Sequence, residues 1–286
     1  MERRAAVLGS PIAHSLSPCL HRAAYEALGL RGWRYDAIEC DADALEGLLS
    51  GMGPEWAGLS LTMPLKRAVL PLLDTVADLA VEVGGVNTVV FRDGARHGEN
   101  TDVHGIVQAL AESGVMAPRS ATVLGAGATA GSSLAALREL GLSEATLVAR
   151  DPWRARETAE VAERLGMTLG VHTFDKLDTV LDVDLVISTL PSGAADAHAE
   201  ALAGVPAVLD VIYAPWPTPL ARAVRAAGGT VVGGFAMLLH QAVRQVELYT
   251  GRAGVPVEVV RAAGEGEILR RSALVGRPSP STATPG

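Results

Sequence analysis

The chain has 286 residues, of which 49% are hydrophobic and 4% aromatic, and its formal net charge is −8. This length and composition allow two ordinary domains whose cores are built mainly from Ala, Val and Leu. The acidic balance argues against a nucleic-acid partner, and no apolar run reaches the roughly 18 residues that a membrane span requires. Two widely spaced cysteines and the lack of a signal-peptide pattern lead us to expect a cytoplasmic protein without a disulfide or a metal site.

The first hundred residues alternate between strand-like and helix-like patterns. Strands are predicted over 5–8, 33–40 and 56–62, and helices over 18–28, over 43–49 and from about residue 65. Two further strands, 86–92 and 97–100, flank Asp93-Gly94, a dipeptide typical of a hairpin turn. Alternating strands and helices predict a mostly parallel sheet, which this hairpin closes.

A second α/β series follows a helix predicted over 103–113 and a polar stretch, 114–120, that is typical of a hinge. Its predicted strands are 122–124, 145–149, 185–188, 207–211 and 230–232, and its predicted helices are 129–140, 154–165 and 235–250. We therefore predict a two-domain α/β protein. Its parts are an N-terminal α/β domain over 1–103, a Rossmann-like domain over 104–235, C-terminal helices over 236–270 that pack back on the first domain, and a disordered tail over 271–286.

A glycine-rich turn, Gly125–Ala130, follows the predicted strand 122–124 and opens a helix. It has the G-x-G-x-x-A spacing of dinucleotide-binding turns. Gly125 permits the tight turn, Gly127 lets the backbone approach a pyrophosphate, and Ala130 keeps helix and strand close. The N–H groups of the helix N-terminus attract phosphate. We expect the turn to hold the cofactor through Gly125, Ala126, Gly127, Ala128 and Thr129.

The end of the next predicted strand decides which nicotinamide cofactor is bound. An acidic residue there typically binds the ribose hydroxyls of NAD, whereas arginine binds the 2′-phosphate of NADP. Here Arg150 ends the strand and Arg154 follows four residues later, so the pair can hold a phosphate from two sides. Asp151 leaves two alternatives, an NAD ribose ligand or a cap of the helix that begins near Pro152. We predict NADP rather than NAD.

Polar side chains cluster where the strands of the first domain end. They include Ser15 and Ser17, Thr62 and Lys66, Asn87, and Asp102. Open α/β sheets bind ligands at the carboxyl ends of their strands, although each cluster alone is also typical of turns. Lysine is rare in this chain: of the 24 basic residues, 22 are arginine and two, Lys66 and Lys176, are lysine. Lysine can release a proton in a protein, whereas arginine cannot.

The order of these motifs along the chain resembles the shikimate dehydrogenase family. The matching segments are SPIAHSLSPCLH (10–21), LTMPLK (61–66), GGVNT (84–88), NTDVHG (100–105), the turn 125–130, DVIYAPWPTPL (210–220) and GGFAMLLHQ (233–241). The resemblance covers essentially residues 5–265. There are three departures: Ser60 where the family often has Asn, Arg22 after His21 where Asn is usual, and Ala149-Arg150-Asp151 in place of Asn-Arg-Thr.

This resemblance implies a reversible, NADPH-dependent reduction of 3-dehydroshikimate to shikimate, in the shikimate pathway of aromatic amino-acid biosynthesis. Lys66 would be the acid/base residue of this oxidoreductase and Asp102 its partner. The implied substrate-binding residues are Ser15, Ser17, Thr62, Lys66, Asn87, Asp102, Tyr213 and Gln241. The nicotinamide would lie near Val211, Gly234 and Met237.

Three alternatives are open at this point. An NAD-dependent quinate/shikimate dehydrogenase has the same fold, and Asp151 favours it. A dehydrogenase of the aminoshikimate pathway is the second alternative, and a non-catalytic module that binds a pathway metabolite is the third. The intact Lys66/Asp102 pair argues against the third. The expected partner is a small-molecule substrate, with neither a nucleic acid nor a membrane involved, and a homodimer is left open.

Overall fold

The computed structural model of the protein describes residues 2–275, which form two six-stranded sheets with helices packed around them. The strands of the first sheet are β1 (Arg3–Gly9), β2 (Trp33–Glu39), β3 (Trp56–Leu61), β4 (Thr75–Val76), β5 (Thr88–Arg92) and β6 (Ala95–Glu99). Their order is β2-β1-β3-β5-β6-β4, with β5 antiparallel to both neighbours and the other pairs parallel. The prediction of a mostly parallel sheet closed by a hairpin is confirmed. The two-residue strand β4 was not predicted.

Five helices accompany this sheet: α1 (Ser17–Ala27), α2 (Leu45–Ser50), α3 (Leu65–Ala68), α4 (Asp78–Val83) and α5 (Asp102–Glu112). Helix α1 ends just before Gly29, whose φ of +69° is easy for glycine and strained for other residues. Helix α2 begins two residues later than predicted. The Asp41 carboxylate still accepts a hydrogen bond from the backbone N–H of Ala44 at 2.9 Å and so closes the turn before the helix. Helix α4 was not predicted.

The second sheet is fully parallel. Its strands are β7 (Ala121–Leu124), β8 (Glu144–Val148), β9 (Thr168–His172), β10 (Leu185–Ser188), β11 (Ala207–Asp210) and β12 (Thr230–Gly233). Their order is β12-β11-β10-β7-β8-β9, so the direction of winding reverses between β7 and β10. That reversal creates the crevice in which doubly wound sheets bind dinucleotides, and the predicted Rossmann-like fold is confirmed.

Helices α6 (Ala128–Glu139), α7 (Pro152–Arg164), α8 (Ala199–Leu202) and α9 (Pro219–Ala226) surround the second sheet. Strand β9 and helices α8 and α9 were not predicted. Helix α9 had a usable signal, because Thr218 precedes a proline and its hydroxyl accepts a hydrogen bond from the N–H of Ala221 at 3.0 Å. The stretch 114–120 joins α5 to β7, and its role as a hinge stays a prediction.

Helices α10 (Gly234–Thr250) and α11 (Val257–Val275) return to the first sheet, where Leu239 and Val246 are buried in one apolar cluster with Val7. Helix α5 approaches α10 so closely that a Cβ at Gly105 would lie 2.6 Å from the carbonyl oxygen of Met237. The predicted start of a disordered tail at residue 271 was wrong, because α11 continues to residue 275, and the rest of that prediction lies outside the described residues. Within residues 2–275, no helix is long and apolar enough to cross a membrane.

Candidate active site

A cavity of about 310 Å³ lies at the carboxyl ends of β1 and β3, with α10 along one side. Because β5 is antiparallel to β3, Asn87, just before β5, is brought to the same edge of the sheet as Thr62, just after β3. All the predicted substrate-binding residues line this cavity: Ser15, Ser17, Thr62, Lys66, Asn87, Asp102, Tyr213 and Gln241. The topology of the sheet therefore brings together side chains that are far apart in the sequence.

Lys66 and Asp102 form an ion pair inside the cavity, with Lys66 Nζ against Asp102 Oδ2 and side-chain exposures of 15% and 7%. Lys66 lies in the first turn of α3, and Asp102 is the first residue of α5. Asn100 fixes the start of α5, since its side-chain oxygen accepts hydrogen bonds from the N–H groups of Asp102, at 3.1 Å, and Val103, at 3.4 Å. An ammonium held by a carboxylate in this way can exchange a proton with an adjacent substrate oxygen.

The Asn87 amide holds the second oxygen of this carboxylate. Its nitrogen donates to Asp102 Oδ1 at 2.8 Å and to the Thr101 hydroxyl at 3.0 Å. Its oxygen accepts from the backbone N–H of Thr101 at 2.7 Å and from the Thr88 hydroxyl at 2.8 Å. Asn87 is buried, and both ends of its amide are satisfied. Asp102 is therefore held between an amide on one oxygen and an ammonium on the other.

The loop that carries Ser15 and Ser17 is held by the C-terminal helix. The Arg271 guanidinium donates to the carbonyl oxygen of His14 at 2.7 Å and to that of Ser15 at 3.2 Å. The Ser15 hydroxyl accepts from the backbone N–H of Ser17 at 3.2 Å. Arg271 thus fixes, from α11, the backbone of one wall of the cavity.

Tyr213 and Gln241 border the same space from the second half of the chain. Burial raises the pKa of the Tyr213 phenol, so that its hydroxyl remains a hydrogen-bond donor at neutral pH. The Gln241 amide nitrogen donates to the carbonyl oxygen of Leu238 at 2.9 Å, one turn earlier in α10. That bond leaves the Gln241 side-chain oxygen available to a ligand.

The glycine turn lies at the crevice of the second sheet. Gly125 has φ of +99°, and a Cβ there would lie 2.6 Å from the Thr189 hydroxyl. At Gly127, which precedes α6, none of the described atoms would lie within 4 Å of a Cβ, so the backbone is open to a ligand. The residues of this turn therefore fit a pyrophosphate at the N-terminus of α6. Ala126 also borders a second cavity, beside the first turns of α7.

The predicted nicotinamide residues Val211, Gly234 and Met237 line the 310 Å³ cavity together with Thr129 of the glycine turn. Gly234 is required by close packing, because a Cβ there would lie 2.0 Å from the carbonyl oxygen of Val211. The cavity that contains Lys66 is thus bordered by residues of both halves of the chain.

The residues predicted to distinguish NADP from NAD follow β8. Arg150 is exposed directly after the strand, and Arg154 lies in the first turn of α7. The Asp151 carboxylate accepts a hydrogen bond from the backbone N–H of Trp153 at 2.9 Å and caps α7. The sequence left two alternatives for Asp151, a ribose ligand or a helix cap, and in the structure its carboxylate is the helix cap.

Sequence reasoning missed a group of buried polar side chains beneath the cavity. Ser60 and Gln245 line its floor, and Tyr35 and Tyr249 lie below them. A signal was available for Gln245, because it follows Gln241 by four residues and so lies on the same face of α10. A second amide on a face that is otherwise buried and largely apolar is a sign of a polar partner across the packing surface.

Comparisons with known proteins agree with this architecture. The family described as "Shikimate dehydrogenase substrate binding domain" matches residues 7–89, and "Shikimate 5'-dehydrogenase C-terminal domain" matches residues 234–263. A shikimate dehydrogenase (NADP(+)) of Thermus thermophilus is 37% identical over 265 residues, which cover 91% of this chain and 97% of that protein.

Two solved structures have the same fold over nearly their whole length. Shikimate dehydrogenase of Mycobacterium tuberculosis superimposes with a TM-score of 0.86 at 43% identity, covering 92% of this chain and 99% of that one. Shikimate 5-dehydrogenase of Thermus thermophilus, in complex with NADP(H) and shikimate, gives 0.82 at 34% identity, with 92% and 99% covered.

The doubly wound sheet, the glycine turn at its crevice and the adjoining acid–base pair define a class, the two-domain nicotinamide-dependent dehydrogenases. Within that class the relatives extend across nearly the entire chain. The chain belongs to the shikimate dehydrogenase family.

Proposed function

We propose that this chain is an NADP-dependent shikimate dehydrogenase, which reversibly reduces 3-dehydroshikimate to shikimate on the route to the aromatic amino acids. The observation that carries the proposal is the Lys66–Asp102 pair, which faces the same cavity as Thr129 and Val211 of the nucleotide-binding half. Interconversion of an alcohol and a ketone requires an acid–base group and a hydride site beside the same carbon.

The polar groups of the cavity suit a small hydroxylated carboxylic acid. A carboxylate only accepts hydrogen bonds, so we assign it to the hydroxyl donors Ser15, Ser17 and Tyr213. Ring hydroxyls both donate and accept, which fits the side chains on the other side of the cavity: Thr62, Lys66, Asn87, Asp102 and Gln241. A volume of about 310 Å³ is at the small end of the range for ligand sites and fits a single six-membered ring with its substituents.

Lys66 is assigned the proton transfer. During ketone reduction, negative charge develops on the carbonyl oxygen, and the Lys66 ammonium donates a proton to it. Asp102 orients the ammonium and accepts a hydrogen bond from a neighbouring substrate hydroxyl, while Asn87 keeps the carboxylate in place. In the oxidation direction the neutral amine removes the proton from the alcohol.

Residues 104–235 are assigned the binding of NADP and residues 1–103 the binding of substrate. Bound NADPH supplies the hydride for ketone reduction. The turn formed by Gly125, Ala126, Gly127, Ala128 and Thr129 would hold the pyrophosphate through its N–H groups. Arg150 and Arg154 would bind the 2′-phosphate, and Val211, Gly234 and Met237 would border the nicotinamide.

Steady-state oxidation of shikimate and of quinate, each with NADP and with NAD, tests this proposal. We expect kcat/KM to be highest for shikimate with NADP, because quinate adds a ring hydroxyl that the small cavity of about 310 Å³ would have to accommodate, and because Arg150 favours the extra phosphate. A chain that prefers quinate or NAD would contradict the proposed specificity. A chain inactive in all four combinations would contradict the enzyme function itself.

The NAD-dependent alternative loses its main support, since the Asp151 carboxylate caps α7. The proposed enzyme acts in the cytoplasm on a small-molecule substrate. Sedimentation velocity would distinguish a monomer from a homodimer.

A further inference from the structure

Four buried side chains beneath the cavity form a hydrogen-bonded group that the proposed reaction does not use. They come from three elements: Tyr35 from β2, Ser60 from β3, and Gln245 and Tyr249 from α10. We name this group the floor network. Buried polar groups are costly unless they are paired, so a fully paired group of this size is expected to fix the local structure.

Ser60 is the centre of the floor network, and its hydrogen-bonding capacity is filled. Its hydroxyl donates to the side-chain oxygen of Gln245 at 2.7 Å and accepts from the Tyr35 hydroxyl at 2.6 Å. Since the single Ser60 hydrogen is used on Gln245, the contact with the Tyr249 hydroxyl at 3.0 Å is one in which Tyr249 donates. Ser60 therefore borders the cavity without a free donor or lone pair for a ligand.

The orientation of the Gln245 amide is fixed by what faces it. Its nitrogen lies 3.4 Å from the carbonyl oxygen of Asn87, which can only accept, so the nitrogen and not the oxygen must point that way. The same nitrogen donates to the Thr88 hydroxyl at 2.9 Å. Ser60 and Thr88 are cross-strand neighbours on β3 and β5, and Gln245 bridges them.

Hydrogen bonds connect the floor network to Asp102 through Thr88 and Asn87, and each of them is donated in the direction of Asp102. Because Thr88 accepts from Gln245, its own hydrogen is free for the side-chain oxygen of Asn87, at 2.8 Å. The Asn87 nitrogen then donates to Asp102 Oδ1 at 2.8 Å. The backbone N–H of Thr101 determines which end of the Asn87 amide faces Asp102. Gln245 does not set that orientation; through Thr88 it governs how firmly the amide is held.

Tyr35 is held by contacts from three other side chains. The Arg22 guanidinium donates to the Tyr35 backbone oxygen at 2.9 Å, and Ser60 accepts from the Tyr35 hydroxyl. The His21 ring stacks on the Tyr35 ring, with centroids 3.8 Å apart. Tyr35 is thus held on its backbone, its ring and its hydroxyl.

We propose that Gln245 is a positioning residue for the reaction, which holds Asn87 and through it the Asp102 carboxylate that faces Lys66. The inference rests on the proposed dehydrogenase function. Loss of the Gln245 amide would loosen the Asn87–Asp102 hydrogen bond and leave more carboxylate charge to attract the Lys66 ammonium. The pH profile of kcat should then move to higher pH.

The titratable side chains packed around Ser60 and Gln245 stay neutral at intermediate pH. Burial lowers the pKa of His21 to about 3 and raises the pKa values of Tyr35 and Tyr249. A shift of the profile in a variant therefore does not come from these three side chains, and the other titratable groups that line the cavity are His14, Lys66, Asp102 and Tyr213.

Gln245→Met keeps the length of the side chain and removes its three hydrogen bonds, to Ser60, Asn87 and Thr88. We expect kcat for shikimate oxidation at pH 7 to fall about tenfold, KM to change less than about threefold, and the rising limb of kcat to move about half a unit to higher pH. Val246→Ala, at a buried apolar neighbour on the same helix, is the matched control. It should lower the melting temperature while leaving kcat and the pH profile unchanged.

A second pair of variants serves if Gln245→Met does not fold. Tyr35→Phe removes one donor from the floor network, and we expect a two- to threefold loss of kcat with the same direction of pH shift. Tyr25→Phe removes a buried hydroxyl that has no hydrogen-bond partner among the described residues, and it should leave kcat unaltered.

The role of Gln245 is overturned if Gln245→Met, or Tyr35→Phe in its place, has the wild-type kcat and pH profile. It is also overturned if Val246→Ala reproduces the loss and the shift. A wild-type chain that does not oxidise shikimate overturns the proposed function instead. The two failures are therefore distinguishable.

Discussion

The two sides of the active site are built on opposite principles. Around Asp102, buried side chains saturate one another: Asn87 and the floor network leave few unused donors or acceptors. At the glycine turn, the structure instead keeps space free, since a Cβ at Gly127 would meet none of the described atoms. A site that must orient a reacting oxygen needs fixed side chains, whereas a site for phosphate needs close approach to backbone N–H groups. Substitutions on the two sides should therefore have separable effects.

The largest effect is expected from Lys66→Ala. Removal of the acid/base group should lower kcat for shikimate oxidation by about 10²–10⁴-fold and raise KM much less, because the other polar groups of the cavity still bind substrate. Initial-rate measurements at saturating NADP would test this. Lys176→Ala, at the second lysine of the chain, is the control and should behave as wild type. Near-normal turnover of Lys66→Ala would exclude the assigned role.

Gly125→Ala should damage the nucleotide side alone. The added methyl group would lie 2.6 Å from the Thr189 hydroxyl at a φ of +99°, so we expect KM for NADP to rise roughly 10–100-fold while the affinity for shikimate is kept. Gly141→Ala is matched in backbone strain, with φ of +96°, and should lower stability without this cofactor effect. Equal cofactor defects in both variants would mean that strain, and not the turn, is responsible.

Acid should lower the free energy of unfolding through His21, which lies beneath the cavity. His21 has its pKa lowered to about 3 by burial, while in the unfolded chain it titrates near 6.5. Between these values the unfolded state binds a proton that the folded state does not. The free energy of unfolding should therefore fall as the pH drops below about 6.5, by up to about 1.4 kcal/mol per pH unit from this group, and level off near pH 3.

Urea unfolding at a series of pH values would measure this slope. His21→Asn should reduce the slope below pH 6.5, even if the variant is less stable at every pH. An identical slope in the His21 variant and the wild type would show that other groups cause the acid sensitivity.

The smallest effect is expected at the rim of the cavity. Arg271→Ala removes two hydrogen bonds to the backbone of the Ser15 loop, so we expect KM for shikimate to rise about fivefold with kcat nearly unchanged. Arg270→Ala is the control, because Arg270, like Arg271, pairs with Glu267 but does not contact the loop. A fall in kcat at constant KM would argue that the loop contributes to the chemistry rather than to binding.

The sequence alone was informative where local chemistry determines structure. The glycine turn, the hairpin at Asp93-Gly94 and the alternation of strands and helices follow from short-range preferences, and all are present in the structure. Strand β9 was missed because it is a short edge strand with Gly170 at its centre, and edge strands depend on their neighbours more than on propensity. The polar side chains of the candidate site lie together in the structure, while their roles stay predictions.

The floor network could not be predicted because it depends on tertiary contacts. Ser60 and Gln245 form a direct hydrogen bond although they are 185 residues apart in the sequence. No local pattern links these two residues or Tyr35. Asp151 is a different case. Its position allowed both a ribose ligand and a helix cap, and the choice required the direction of the side chain.

Helix α10 fixes the distances between several residues that line the active site. Gly234, Met237, Gln241 and Gln245 all border the cavity, on successive turns of one helix. At about 1.5 Å per residue, the eleven steps from first to last span roughly 16 Å, and this span is set by backbone hydrogen bonds. The spacing between Gly234, which we assign to the nicotinamide, and Gln241, which we assign to the substrate, is therefore fixed by the helix itself. Insertion of one residue after Met237 would turn both glutamines by about 100° away from the cavity, so length changes should be tolerated far less in this helix than in the loops around it.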